Sequence, residues 1–170
     1  NKEGLAGGDP SPWTALGVFE SMKAAASELL GLELREATVA IQGVGNVGVR
    51  LCQMLAGAGA RLVVADIVES RARALAERLG ATQVSVEDLP DVDAHIYAPC
   101  ALGAVLNDST IPRLKAQLVC GGANNQLESA RHGEMLQQGG IIYAPDYVVN
   151  AGGIINVAAE YLGETTSQVA

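Results

Sequence analysis

The sequence of this 170-residue chain predicts an α/β fold, namely a doubly wound, mainly parallel sheet flanked by helices. Short apolar and β-branched segments alternate with longer segments of helical periodicity, which is the pattern of β-α-β crossovers. Hydrophobic residues make up 49% of the chain and aromatic residues only 4%, so aliphatic side chains must build the core, as in a sheet covered on both faces. The length fits one domain.

The chain is predicted to begin with a helix, because apolar side chains recur at helical spacing over residues 11–30. Ser11 suits its N-cap, Pro12 its first position and Gly31 its end. The chain is predicted to be a single domain of residues 1–170, with this leading helix, a core at 38–150 and a closing helix at 151–163. The core is predicted to contain strands at 38–42, 61–65, 94–98, 117–120 and 140–143. Two of its helices are predicted to end near Gly57 or Gly59 and at Leu79.

Three glycines between the first strand and the following helix form the pattern G-x-G-x-x-G at residues 43–48. This context is typical of the phosphate-binding turn of a Rossmann dinucleotide-binding fold. Gly43 makes the tight turn, Gly45 lets the backbone approach a pyrophosphate, and Gly48 lets the helix pack close to the strand. The amides of Asn46, Val47 and Gly48 at the positive helix end would stabilise two phosphate charges. The alternative is a glycine-rich turn without a ligand.

Asp66 follows the second strand and lies 23 positions after Gly43. A carboxylate at this distance can accept hydrogen bonds from ribose hydroxyls and would repel a 2′-phosphate. Ile67, not an arginine, comes next, and this favours NAD over NADP as the cofactor. Two alternatives stay open: Asp66 caps the following helix, and Arg71 with Arg73 leaves room for NADP.

Other functional classes find no support in the composition. A net charge of −8 without a basic stripe argues against nucleic acid, and no run of 18 apolar residues indicates a membrane span, so we expect a cytoplasmic protein. Cys52, Cys100 and Cys120 lack metal-ligand or disulfide-frame spacing and are predicted to be small buried residues. His95 is expected in the core within a strand and His132 on the surface. Neither suggests a catalytic triad or a metal site.

Two loops after strands, at 99–103 and 121–125, and a third at 150–153 should lie at the sheet edge where such folds bind ligands. Their asparagines are either crevice groups or simple turn formers. Five motifs occur in order along the chain: Gly-Asp-Pro-Ser-Pro at 8–12 with Thr14, Gln-Gly-Val-Gly-Asn-Val-Gly at 42–48, Ala-Pro-Cys-Ala-Leu-Gly at 98–103, Ala-Asn-Asn-Gln at 123–126 and Ala-Pro-Asp-Tyr-Val-Val-Asn-Ala-Gly-Gly at 144–153. Taken together, these motifs resemble the Glu/Leu/Phe/Val dehydrogenase family, most closely its leucine dehydrogenase branch.

The resemblance implies reversible oxidative deamination of an L-amino acid to a 2-oxo acid and ammonia, with NAD accepting the hydride. The likeness to leucine dehydrogenase implies that the amino acid has an aliphatic side chain. It also implies roles for individual residues. By that resemblance Thr14 would hydrogen-bond the nicotinamide carboxamide, residues 43–48 would hold the pyrophosphate, and Asp66 with Ile67 would hold the adenosine ribose. Cys100 and Ala101 would pack near the adenosine, and Ala123 would lie against the cofactor. Asn125 would touch the nicotinamide ribose or the substrate, and Asn150 would line the substrate end of the crevice.

One departure from the family pattern concerns catalysis. Members of the family carry a catalytic lysine, in a Gly-Gly-Gly-Lys setting, and a catalytic aspartate on a separate N-terminal domain. The lysines of this chain, Lys2, Lys23 and Lys115, lack that setting. We therefore expect no catalytic residue in this chain and no activity of the chain alone. Separately, we expect the intact enzyme to be a homo-oligomer. The alternatives are a stand-alone NAD-responsive regulatory module and a different dehydrogenase that shares only the fold.

Overall fold

A computed structural model describes residues 9–149, and the statements below concern that range. No helix within it is long and apolar enough to cross a membrane. The strands are β1 (Thr38–Gln42), β2 (Arg61–Ala65), β3 (Thr82–Gln83), β4 (Ile96–Pro99), β5 (Leu118–Val119) and β6 (Ile142–Tyr143). The α-helices are α1 (Ser11–Ala25), α2 (Asn46–Gly57), α3 (Glu69–Leu79), α4 (Arg131–Gln138) and α5 (Asp146–Val149), and a π-helical turn (Ala26–Leu30) extends α1.

The six strands form one parallel sheet in the order β3-β2-β1-β4-β5-β6, which confirms the predicted fold class. The strand order reverses between β1 and β4. Gln42, the last residue of β1, is in register with Ala65 of β2 and with Pro99 of β4. The carboxyl ends of these three strands therefore meet at the switch point, where open α/β sheets bind their ligands.

The core lies on both faces of the sheet. Val39 and Ile41 of β1 pack into one apolar cluster with side chains of α1, α2 and α3, whereas Ala40 packs into a second cluster on the opposite face. Side chains of α4 and of the β3-to-β5 connections complete that second cluster. Burial on both faces explains why β1 reads as a continuous apolar run.

The predicted element bounds are correct where the local signal is strong. β1 and β2 span the predicted residues, and Gly31, with φ +64°, ends the leading helical segment. β4, β5 and β6 begin one or two residues later than predicted, and β3 was missed because it consists of two polar residues. The predicted closing helix at 151–163 and Asn150 lie outside the described residues.

The start of α1 differs from the prediction. Ser11 is not the N-cap but the first helical residue, and its amide donates to Oδ1 of Asp9 at 3.0 Å. Hydrogen bonds from Ser11, together with Arg50, hold the pKa of Asp9 below its usual range. Arg50 lies in α2 and its guanidinium is 3.4 Å from the Asp9 carboxylate. Asp9 thus links the beginning of α1 to α2.

The two histidines have structural partners. The prediction that His132 lies on the surface is wrong, because its side chain is 1% exposed. Its Nδ1 accepts from the Ser129 amide at 3.0 Å, and its Nε2 lies 3.3 Å from the carboxylate of Asp108. His95 is half-buried just before β4, and its Nδ1 accepts from the Thr38 amide at 2.9 Å.

The cysteines are free thiols. Cys52 and Cys120 are fully buried, as predicted, and burial raises the pKa of each thiol to about 12. Cys100 is only half-buried. Within residues 9–149, no group of three or more His, Cys, Asp or Glu side chains is placed to hold a metal ion.

Candidate functional site

The glycine-rich loop lies at the switch point, and the fold itself requires two of its glycines. Gly43 has φ +96°, and a Cβ there would lie 2.6 Å from the Cβ of Ala101. A Cβ on Gly48 would overlap the carbonyl oxygen of Gly43. These two positions exclude side chains because the loop, α2 and the segment after β4 pack directly against one another.

Gly45 is different, because neither its φ nor any neighbour within residues 9–149 requires a glycine there. Its φ of −74° is open to any residue, and a Cβ at this position would meet no atom within 4 Å. A cavity of about 440 Å³ adjoins it, lined by Val44, Gly45, Asn46, Val49, Arg50, Gln53 and Arg71. A missing side chain next to open space is the arrangement expected where a ligand approaches the backbone.

The head of α2 presents unpaired donors beside this space. The Val49 amide, which donates to the carbonyl of Gly45 at 2.9 Å, makes the first backbone bond of the helix. The amides of Asn46, Val47 and Gly48 precede that bond. No side chain of residues 9–149 caps them, and no acidic residue lies in the first turn. Three such amides at the positive end of a helix can donate to an anion such as a phosphate.

The Asp66 carboxylate fixes the same loop from the end of β2. Its Oδ2 accepts from the Val44 amide at 2.8 Å, and its Oδ1 accepts from the Val68 amide at 2.8 Å. Val68 is the residue before α3, and no side chain caps that helix, so this bond shapes the turn that leads into α3. The other oxygen holds the glycine loop, so the carboxylate lies directly beside the open space at Gly45.

An apolar pocket of about 170 Å³ lies between the segments after β2 and β4. Ile67 and Leu102, on opposite sides of it, are 84% and 81% exposed. Ala101 lines this pocket, as do Gln42, Gly43, Asp66, Val86 and Val105. Two large exposed apolar side chains around one pocket indicate a binding surface for an apolar part of a ligand. Leu102 was not among the predicted site residues, although its place in a loop after a strand was the available signal.

Cys100 does not line the apolar pocket, unlike its neighbour Ala101. Its Cβ lies 3.5 Å from the position that a Cβ on Gly48 would take, so it packs beneath the start of α2. Burial raises the pKa of the Cys100 thiol to about 11. Cys100 therefore supports the glycine loop as a protonated thiol.

The loop after β5 brings α1 to the site. A Cβ on Gly122 would lie 2.8 Å from Cγ1 of Val47 and 3.8 Å from Cγ2 of Thr14. Thr14 of α1 and Val47 of α2 thus meet at this loop, next to the free amides. Ala123 is buried, whereas Asn125 at the end of the loop is exposed. Asn150, the other predicted crevice asparagine, lies outside the described residues.

Comparison with known proteins identifies similar chains over nearly the whole sequence. The Glutamate/Leucine/Phenylalanine/Valine dehydrogenase profile matches residues 9–72 and 64–169. The leucine dehydrogenases of Thermoactinomyces intermedius and Bacillus cereus are 54% and 52% identical over 157 residues, which are 92% of this chain and 43% of each relative. The crystal structure of L-tryptophan dehydrogenase from Nostoc punctiforme matches with a TM-score of 0.92 and 44% identity, over 95% of this chain and 50% of that one. The chain spans less than half the length of the curated relatives that it matches.

Proposed function

This chain belongs to the glutamate/leucine/phenylalanine/valine dehydrogenase family, and from that premise we propose that it is the NAD-binding domain of an amino-acid dehydrogenase. The observation that carries the proposal is the open space over Gly45, a glycine that the fold does not need. Free amides beside that space supply donors for a diphosphate, and the nearby carboxylate supplies acceptors for a ribose. The residues present therefore fit a dinucleotide.

In this proposal each part of the site holds one part of the cofactor. The amides of residues 46–48 bind the diphosphate, and Asp66 accepts the adenosine ribose hydroxyls. Ile67 and Leu102 enclose the adenine from both sides. Thr14 and Asn125 lie toward the nicotinamide end. The cofactor itself supplies the hydride acceptor, and the protein supplies binding and orientation.

Asp66 supports NAD over NADP. A 2′-phosphate would lie beside its carboxylate, with which it shares a negative charge, and Ile67 offers no compensating cation. Of the two arginines of α3 considered for NADP, Arg71 lines the neighbouring cavity at Gly45 and Arg73 does not. We expect NAD to bind at least about tenfold more tightly, a difference of about 1.4 kcal/mol.

The intact enzyme, in this proposal, deaminates an aliphatic L-amino acid, and support comes from the two leucine dehydrogenases described above. Lys23 and Lys115 lie on the surface, and Lys23 is 3.9 Å from Glu20. Neither stands in a closed cleft of the kind in which a lysine acts as a base. The described residues therefore hold and orient the cofactor but supply no catalytic base, and we expect no turnover by the chain alone. The homo-oligomeric assembly and cytoplasmic location of the intact enzyme stay predictions.

Calorimetric titration of the chain with NAD, NADH and NADP tests the proposal. We expect saturable NAD binding, NADP binding at least about tenfold weaker, and no NADH formed from NAD and leucine. Absence of NAD binding would refute the function, equal affinities would refute the selectivity, and NADH production would refute the claim of inactivity. Restored turnover on mixing with the N-terminal part of a leucine dehydrogenase would favour this proposal over a stand-alone regulatory module.

The apolar pocket gives a separate prediction. Leu102→Ser should weaken NAD and AMP binding alike, by roughly three- to tenfold, because each loses part of the apolar contact with the adenine. The melting temperature should stay unchanged, since Leu102 is 81% exposed. Leu29→Ser is the matched control, because Leu29 is 58% exposed and does not line this pocket. Equal affinities of Leu102→Ser and the control, measured by calorimetry, would contradict the adenine assignment.

A further inference from the structure

Asn125 has an unusual backbone conformation. Its φ is +52°, and among residues 9–149 only Ala104 shares a positive φ without being a glycine. Asparagine adopts this left-handed region more readily than most residues, yet such a conformation costs free energy and persists only where neighbours fix it. The contacts of the Asn125 backbone therefore show which residues keep this loop in its conformation.

Neighbouring groups fix the backbone of Asn125 on both sides. Its amide donates to Oδ2 of Asp146 at 2.6 Å, a short bond to a carboxylate, and its carbonyl accepts from the Ala104 amide at 2.7 Å. A Cβ on Gly103 would lie 2.7 Å from that carbonyl oxygen. The Asn125 side chain is exposed and takes part in none of these bonds. Its carboxamide is thus held out toward solvent by a fixed backbone.

Asp146 is itself oriented by a second bond. Oδ1 of its carboxylate accepts from the Tyr143 hydroxyl at 3.3 Å. Burial is the main cause, and the charge of Asp146 the second, that raises the pKa of Tyr143 to about 12. The hydroxyl therefore stays protonated and remains a donor. Asp146 therefore joins the end of β6 to the loop after β5, two segments that are 21 residues apart at this bond.

Gln126 fixes the beginning of the same loop. It is fully buried, and its Nε2 donates to the carbonyls of Gly121 at 2.8 Å and Ala123 at 3.0 Å. Its Oε1 has no hydrogen-bond partner within the described part of the chain. A buried acceptor without a partner lowers the stability of the fold, so the two bonds made by Nε2 come with an unsatisfied Oε1. Gln126 thus holds the beginning of the loop and Ala104 holds the Asn125 carbonyl, while Asp146 holds the Asn125 amide.

We propose that Asp146 is a positioning residue that sets the Asn125 carboxamide at the nicotinamide end of the site. This inference rests on the proposed function. Asp146→Asn offers one acceptor oxygen where two donors arrive and removes the charge from the bond to the Asn125 amide. The loop then relaxes from its left-handed conformation, and the nicotinamide half loses its contact, while the adenosine and diphosphate sites stay as they are.

The test compares NAD with ADP, which has the adenosine and diphosphate but lacks the nicotinamide riboside. We expect Asp146→Asn to weaken NAD binding by about five- to tenfold and ADP binding by less than about twofold. Asp93→Asn, the same change at an exposed aspartate, should alter neither. Equal losses for both ligands would show a merely structural role, and no loss for either would also overturn the proposal. Wild-type chain that binds neither ligand would instead refute the proposed function.

A double-mutant cycle separates positioning from an independent contact. Asn125→Ala should lower the ratio of NAD affinity to ADP affinity to a similar extent. Adding Asp146→Asn to that variant should then change the ratio little. Additive losses would overturn the proposal. If Asp146→Asn does not fold, Tyr143→Phe, which removes only the hydroxyl that aligns the carboxylate, should give a smaller loss specific to NAD. Unchanged NAD and ADP affinities in that variant would overturn the proposal too.

Discussion

Gly45→Ala is expected to weaken NAD binding by at least about tenfold without destabilising the chain. The new methyl group would meet no protein atom within 4 Å, and the φ of −74° suits alanine. Replacing a glycine at such a position stabilises a fold by about 0.4–1 kcal/mol through the unfolded state. The methyl group would, however, occupy the space through which a diphosphate reaches the amides of α2. Calorimetry should therefore show a lower NAD affinity for this variant, and thermal unfolding should show an unchanged or slightly higher melting temperature.

Two other glycines of the chain serve as controls for Gly45→Ala. Gly57→Ala, at the end of α2, also adds a methyl group that meets nothing within 4 Å, and it should leave NAD affinity unchanged. Gly48→Ala should lower the free energy of unfolding by about 1–3 kcal/mol, because its Cβ would overlap the Gly43 carbonyl. Wild-type affinity in Gly45→Ala would show that the glycine loop does not hold the ligand.

Asp66→Ala is expected to reduce both stability and cofactor affinity. Val44 is 3% exposed, and its amide would lose its acceptor, which costs about 1–3 kcal/mol of stability. NAD affinity should fall by more than about tenfold, because the loop is released and the ribose loses its acceptor. NADP affinity should fall less, since the repulsion of the 2′-phosphate disappears with the carboxylate. Thermal unfolding and titration with both cofactors measure these effects.

Glu69→Ala is the matched control for Asp66→Ala. Glu69 is an exposed carboxylate in the first turn of α3, so this variant loses the same charge close to the site. It should keep the wild-type ratio of NAD to NADP affinity. The same fall in NAD affinity in both variants would mean that net charge alone, and not the bonds of Asp66, governs binding.

The elements that the sequence predicts well are those with local signals. The apolar run of β1, the three glycines and the carboxylate after β2 fall within a short stretch, and each lies where expected. The lengths of β3, β5 and β6 depend instead on pairing with strands that are distant in sequence. β5 and β6 are paired over only two residues, although Ile141 and Ala144 on either side of β6 are also apolar.

The features that sequence analysis missed arise from contacts between distant segments. Leu102 lines the same pocket as Ile67 because β2 and β4 are both neighbours of β1 in the sheet. Asp146 reaches Asn125 only through the neighbouring positions of β5 and β6. His132 is buried because Ser129 and Asp108 provide partners for its ring nitrogens, and no local pattern indicates those partners.

Amide chemical-shift changes during NAD titration of the isotope-labelled chain test the central claim most directly. The largest changes should occur at Asn46, Val47 and Gly48, whose free N–H groups would bond the diphosphate, and at the Val44 amide held by Asp66. A saturating ligand that leaves these amides unshifted, or that shifts only residues away from the switch point, would contradict it.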